Sequence, residues 1–166
     1  HGYFKYFKLM KTATVKELKT ELEYHSREKL LELCLTMAKF KKENKELLTY
    51  LLFEASNEAY YIEGIKTIID QQFEDINTNS YYYIKKSVRK ILREIKKHIR
   101  YSKKTETAVE LLIYFCKKLS ILQPSMHNST ALKNIYDRQL ALVIKNINSL
   151  HEDLQYDWKM EIENLP

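Results

Sequence analysis

Apolar residues recur along this chain at steps of three and four, the spacing that stacks side chains on one face of a helix. Thr14-Val15-Lys16-Glu17 is a capping box, in which hydroxyl and carboxylate each satisfy a free amide at a helix start. The helix it opens presents Val15, Leu18 and Leu22 and ends near Tyr24. Ser26 caps a second helix, whose buried side is Leu30, Leu31, Leu33, Cys34, Met37 and Phe40. Lys39, Lys41 and Lys42 crowd its end, where positive charge suits the helix dipole. Asn44 begins a third, apolar on most sides through Leu47, Leu48, Tyr50, Leu51, Leu52 and Phe53; an element apolar nearly all round is expected at the centre.

Ser56-Asn57 punctuates the pattern, and a fourth helix follows to about Ile76 with Ile62, Ile65, Ile68, Ile69, Phe73 and Ile76 on its apolar side. Gly64 inside it costs ~1 kcal/mol relative to Ala, which points to a close helix crossing. Asn77-Thr78-Asn79-Ser80 is a clear break. The fifth helix, Ser80 to Lys104, carries Ile84, Val88, Ile91, Ile95 and Ile99 on one stripe, with Tyr81 on it and Leu92 widening it. Thr105 caps a sixth with Val109, Leu112, Ile113, Cys116 and Leu119, stopped by Gln123-Pro124-Ser125. Ser129 or Thr130 caps a seventh with Leu132, Ile135, Leu140, Val143, Ile144, Ile147 and Leu150. The acidic stretch 151–165 either continues it or forms a broken end.

Seven helices and no convincing strand make an all-α fold, with short loops that favour antiparallel αα-hairpins. Glu46-Leu-Leu-Thr-Tyr50 echoes Glu110-Leu-Leu-Ile-Tyr114, so an irregular α-solenoid and a plain helical bundle both fit. The 166 residues suit one domain, 11–166. His1–Lys11 alternates aromatics with lysine and has no apolar signal core, and Met10-Lys11 reads as a natural start; residues 1–10 are taken as an appended or disordered extension. Only two glycines and two prolines occur. Turn-rich β architecture and the glycine-built loops that cradle phosphates or position a nucleophile are therefore not expected.

Charge singles out the fifth helix. Residues 80–104 hold ten basic side chains against Glu94 alone, a net +9 in a chain of +6, so the remainder sums to −3. Lys86, Lys90, Arg93, Lys97 and Arg100 form a row opposite the apolar stripe, roughly 21 Å long at ~1.5 Å per residue. Lys85, Arg89 and Lys96 flank it, and Tyr82 belongs to the same face, with Tyr83 beside Lys90. A row of cations gains affinity for a phosphate backbone by releasing counterions, and aromatics among them can stack on unpaired bases. The candidate polyanion-binding set is Tyr82, Lys85, Lys86, Arg89, Lys90, Arg93, Lys97 and Arg100. The plain alternatives are a solvated face, or internal pairing with Glu63, Asp70 and Glu74 or with the C-terminal acids; an acidic membrane surface is a further ligand of the same charge.

Other chemistry is sparse. Cys34 and Cys116 both sit on apolar stripes and read as buried, inert thiols, which suits a reducing, cytoplasmic setting. No apolar run reaches the ~18 residues of a membrane span. Glu94 and His98, four apart, offer two metal ligands at most, and His98 beside the apolar stripe reads as a half-buried, hydrogen-bonded imidazole. His25, His127 and His151 stand at helix ends or in loops. Nothing selects a catalytic, metal or cofactor site.

Three segments carry a resemblance: Lys41–Glu54 (KKENKELLTYLLFE), Tyr81–Arg93 (YYYIKKSVRKILR) and Leu150–Asp157 (LHEDLQYD). They look like parts of an uncharacterised group of small all-helical bacterial proteins with no assigned activity. The resemblance covers most of the chain after Met10 and implies a cytoplasmic bacterial helical protein with no functional residues to carry over. The function expected is a non-catalytic helical scaffold that binds a protein partner or itself; the alternative is a nucleic-acid or other polyanion-binding module built on helix 80–104.

Overall fold

A computed structural model describes residues 11–166; the extension expected at 1–10 lies outside them. The described residues are helical, without strand, and divide between Thr49 and Tyr50 into two compact units.

The first unit contains α1 (Val15–Leu22), α2 (Arg27–Phe40) and α3 (Lys42–Thr49). The capping box is formed at α1: the Glu17 amide donates to the Thr14 hydroxyl and the Thr14 amide to the Glu17 carboxylate, both at 3.2 Å. Ser26 caps α2 by accepting from the Lys29 amide at 3.1 Å. α3 begins at Lys42, two residues before the expected Asn44, whose side chain instead donates back to the Met37 carbonyl at 2.8 Å and ties α2 to α3. Among the described residues of this unit only Ala38 is buried. The stripe expected to be covered is open: Val15, Leu18, Leu22, Leu31, Met37 and Phe40 face water, Phe40 at 78% exposure. Cys34 is exposed as well, against its assignment to the interior. Periodicity identifies the apolar face of a helix; burial needs a second surface of matching area, and these short helices do not provide one.

The second unit opens on a π-helical turn, Tyr50–Glu54, closed by the Ala55 amide donating to the Tyr50 carbonyl at 2.8 Å. An extra residue per turn rotates the side chains that follow. Tyr50 is buried, while Leu51, Leu52 and Phe53 are exposed, Phe53 at 75%. The stretch expected to be central is therefore peripheral.

The centre belongs to α6 (Thr105–Ile121), on which α4 (Glu58–Glu74), α5 (Tyr81–Ser102), α7 (Thr130–Ile147) and α8 (Glu152–Glu163) all pack. α4 also packs on α5, and α8 on α7, so each helix of this unit meets mainly the next one or two along the chain. Leu111, Val109, Phe115, Cys116 and Leu119 are wholly enclosed. Leu111 and Phe115 extend the stripe expected from Val109, Leu112, Ile113, Cys116 and Leu119, because neighbours approach from more than one side. Burial pushes the Cys116 thiol up to about 12. Ile84, Val88, Ile91 and Ile95 of α5 complete this core, as their spacing requires. Ile68 and Ile144 lie at the margins of their stripes and are exposed.

Ser80 and Ser129 cap α5 and α7. Thr105 does not cap α6; it is the first helical residue, and the preceding Lys104 makes no side-chain cap. Residues 148–151 break the chain between α7 and α8, where His151 Nδ1 accepts from the Asp153 amide, so the acidic end is a helix of its own. A Cβ placed on Gly64 would meet no atom within 4 Å, so the close crossing expected there is absent.

Candidate functional site

α5 presents two faces because its sequence does. The isoleucine stripe is turned onto α4 and α6, which leaves the opposite side of the cylinder to the basic residues. Lys86, Arg89, Lys90, Arg93 and Arg100 are exposed, and Lys85 is half-exposed. Among the described residues none of these six forms an ion pair or side-chain hydrogen bond. Lys97 departs from the expected row: its ammonium is bonded to Glu94 at 2.7 Å and its side chain is only 12% exposed. Glu94, three residues earlier, is the one acid of the helix and draws Lys97 along the surface.

Tyr82 and Tyr83 stand at the N-terminal end of the ridge, both exposed, with ring centroids 5.3 Å apart at 77°. Tyr82, Lys85, Lys86, Arg89 and Arg93 together line a cleft of about 310 Å³. Of the eight candidate residues, these five converge; Lys90 and Arg100 continue the open ridge, and Lys97 is withdrawn from it. Tyr81, on the other side, is half-buried and donates its hydroxyl proton to the Ser125 carbonyl at 2.7 Å.

The acids that could have covered the ridge are engaged elsewhere or make no ion pair with it. Glu63 bonds Lys66 at 3.4 Å, and Lys66 reaches Glu110 at 2.9 Å. Asp70 accepts from the Tyr114 hydroxyl and pairs with Lys118 at 3.2 Å. Burial raises the Asp70 carboxyl, but these two donors outweigh it and hold it below its ordinary value. Glu74 and the α8 carboxylates make no ion pair with α5.

Other clefts of this unit include two with ionisable groups in their walls. One, of about 490 Å³, has Glu54, Tyr60, Tyr61, Glu63 and His98 in its wall. There the Tyr61 hydroxyl and His98 Nδ1 share a hydrogen bond of 2.7 Å, which gives the half-buried histidine the partner its position calls for. Burial, reinforced by nearby Glu54, drives the Tyr61 hydroxyl far above its ordinary range, so it keeps its proton at neutral pH. The other cleft, of about 560 Å³, is bordered by Glu58, Lys104, Thr107, Glu110 and Leu150. Its carboxylate is saturated: Glu58 accepts from Ser102 (2.5 Å), Thr107 (2.8 Å) and Tyr50 (2.8 Å) and faces Lys104 at 3.5 Å. Sequence reasoning missed both groupings, since each depends on contacts between residues 37 to 49 apart, Tyr61 with His98 and Glu58 with Ser102 and Thr107. Among the described residues no three His, Cys, Asp or Glu side chains converge as a metal site would need, and no helix is long and apolar enough to cross a membrane.

Comparison of the chain with protein-family models, curated proteins and solved structures finds no match.

Proposed function

We propose that this chain is a non-catalytic helical protein that binds the phosphate backbone of nucleic acid along the outer face of α5. One observation carries the reading: six cations spread over roughly 21 Å of a single helix have no carboxylate partner among the described residues. Some cations of this unit are paired, as at Lys66, Lys104 and Lys118, while Lys117, Arg138 and Lys145 are not among the described residues; what sets α5 apart is that six open cations share one helix. The α5 row is instead left to water, where like charges repel and a polyanion would relieve them. Two free cysteines suit the reducing compartment, the cytoplasm, in which this binding would occur.

A gel shift with an oligonucleotide at about 50 mM and about 200 mM salt tests this. The protein should retard the probe at low salt and release it at high salt. The quadruple variant Lys86→Glu, Arg89→Glu, Lys90→Glu, Arg93→Glu should fail to retard it while keeping its helical circular dichroism, because none of the four contributes a bond to the fold.

A second reading, a scaffold that binds a protein partner or a copy of itself, draws on the open apolar side chains of each unit, Met37 and Phe40 in the first and Leu52 and Phe53 in the second. The same experiment separates the two: no retardation by either protein at low salt leaves the scaffold as the standing account.

A further inference from the structure

We infer that the nucleic acid bound by α5 is single-stranded, and that Tyr82 is the platform on which one unpaired base stacks. The inference rests on the phosphate-binding reading above and adds the chemistry of the base. Phosphate contacts alone would explain a ridge of Lys and Arg; they would not explain an aromatic ring set into it.

Tyr82 is 64% exposed, and its hydroxyl has no hydrogen-bond partner among the described residues. Its ring shares one cleft with Lys85, Lys86, Arg89 and Arg93. Lys86 and Arg89 follow it by one and two helical turns, which places cations on the same side of the helix at successive heights. Tyr83 meets it edge to face at 77°, so each ring is steadied by the other while both remain exposed. The cleft thus joins a π surface to several guanidinium and ammonium groups within a few turns of one rigid helix. That pairing of stacking surface with backbone charge is what sequence-tolerant binding of unpaired strands requires. A duplex keeps its bases stacked on one another and would engage the cations while leaving the ring idle. A polyphosphate or an anionic vesicle has no base to offer.

Fluorescence anisotropy with labelled oligo(dT) of about twelve nucleotides tests this, against a duplex of equal length and with inorganic polyphosphate as competitor. The wild-type chain should bind the single strand more tightly than the duplex. Tyr82→Ala should weaken that binding roughly five- to a hundredfold, the range of one lost base stack, while polyphosphate binds as before. Tyr82→Phe, which keeps the ring, should bind like the wild type. Equal affinity of Tyr82→Ala and wild type for oligo(dT), or a preference for duplex, overturns the stacking inference while the ridge stands, provided Arg89→Glu/Arg93→Glu abolishes binding. Failure of the wild type to bind oligo(dT) or polyphosphate at about 50 mM salt overturns the phosphate-binding reading itself.

Discussion

Glu58 gathers Tyr50, Ser102, Thr107 and Lys104 around one carboxylate and so joins the π turn, α4, the end of α5 and the start of α6. Burial raises its carboxyl, but the three hydroxyl donors and Lys104 outweigh burial and leave it below 4.5. A group lowered in the folded state adds stability that is fully present above its unfolded value and is lost as pH falls through its folded value. Glu58→Gln should therefore lower stability by about 1–3 kcal/mol at pH 7, as expected for charged hydrogen bonds. Urea titrations at descending pH should show that deficit begin to shrink below the unfolded value of about 4.5, where the unfolded chain takes up the proton first, and disappear as pH falls through the lower folded value. A deficit constant down to pH 3 would mean the carboxylate's charge contributes nothing. Gly64 is the opposite case, a residue the fold does not need. With no atom within 4 Å of an added Cβ, Gly64→Ala should raise stability by about 0.5–1 kcal/mol in the same titration, from helix propensity and a restricted unfolded chain.

Two apolar elements met opposite fates. α6 and the stretch Leu47–Phe53 look alike in sequence, both rich in Leu and aromatics, yet Phe115 is wholly enclosed and Phe53 largely bare. Phe115→Ala should cost about 3–5 kcal/mol, the range for a deleted core aromatic, whereas Phe53→Ala should change stability by no more than about 0.5 kcal/mol. Denaturant midpoints compare the pair directly, and similar losses at both sites would contradict the placement of the core. The contrast also marks how far the sequence could be read. Caps at Thr14 and Ser26, and at Ser129 as one of two candidates, were legible because a cap is settled within four residues, though Thr105 shows that a hydroxyl at a helix start need not act as one. The buried stripe of α5 was legible because strong charge opposes it. The bareness of α2 and of Leu51–Phe53 was not, since it depends on which other surfaces the chain brings up. Likewise Cys34 and Cys116 occupy similar local patterns, and only packing separates the exposed thiol from the enclosed one.

At the scale of the molecule, charge is the organising asymmetry. One helix holds more positive charge than the chain's net +6, and the rest is net negative. The row and its tyrosines were visible from residue spacing alone. The withdrawal of Lys97 could have been suspected from Glu94 three residues away, but the freedom of the other six could not, because it required knowing where Glu63, Asp70, Glu74 and the α8 acids end up. The account turns on that freedom. The most direct test is the association constant for a single-stranded oligonucleotide measured across a series of salt concentrations. Six free cations releasing about 0.7 counterion each predict a log–log slope of roughly −4, flattening toward zero when Lys86, Arg89, Lys90 and Arg93 are reversed to Glu. A slope near zero in the wild type, or an equal slope in the reversed variant, would contradict it.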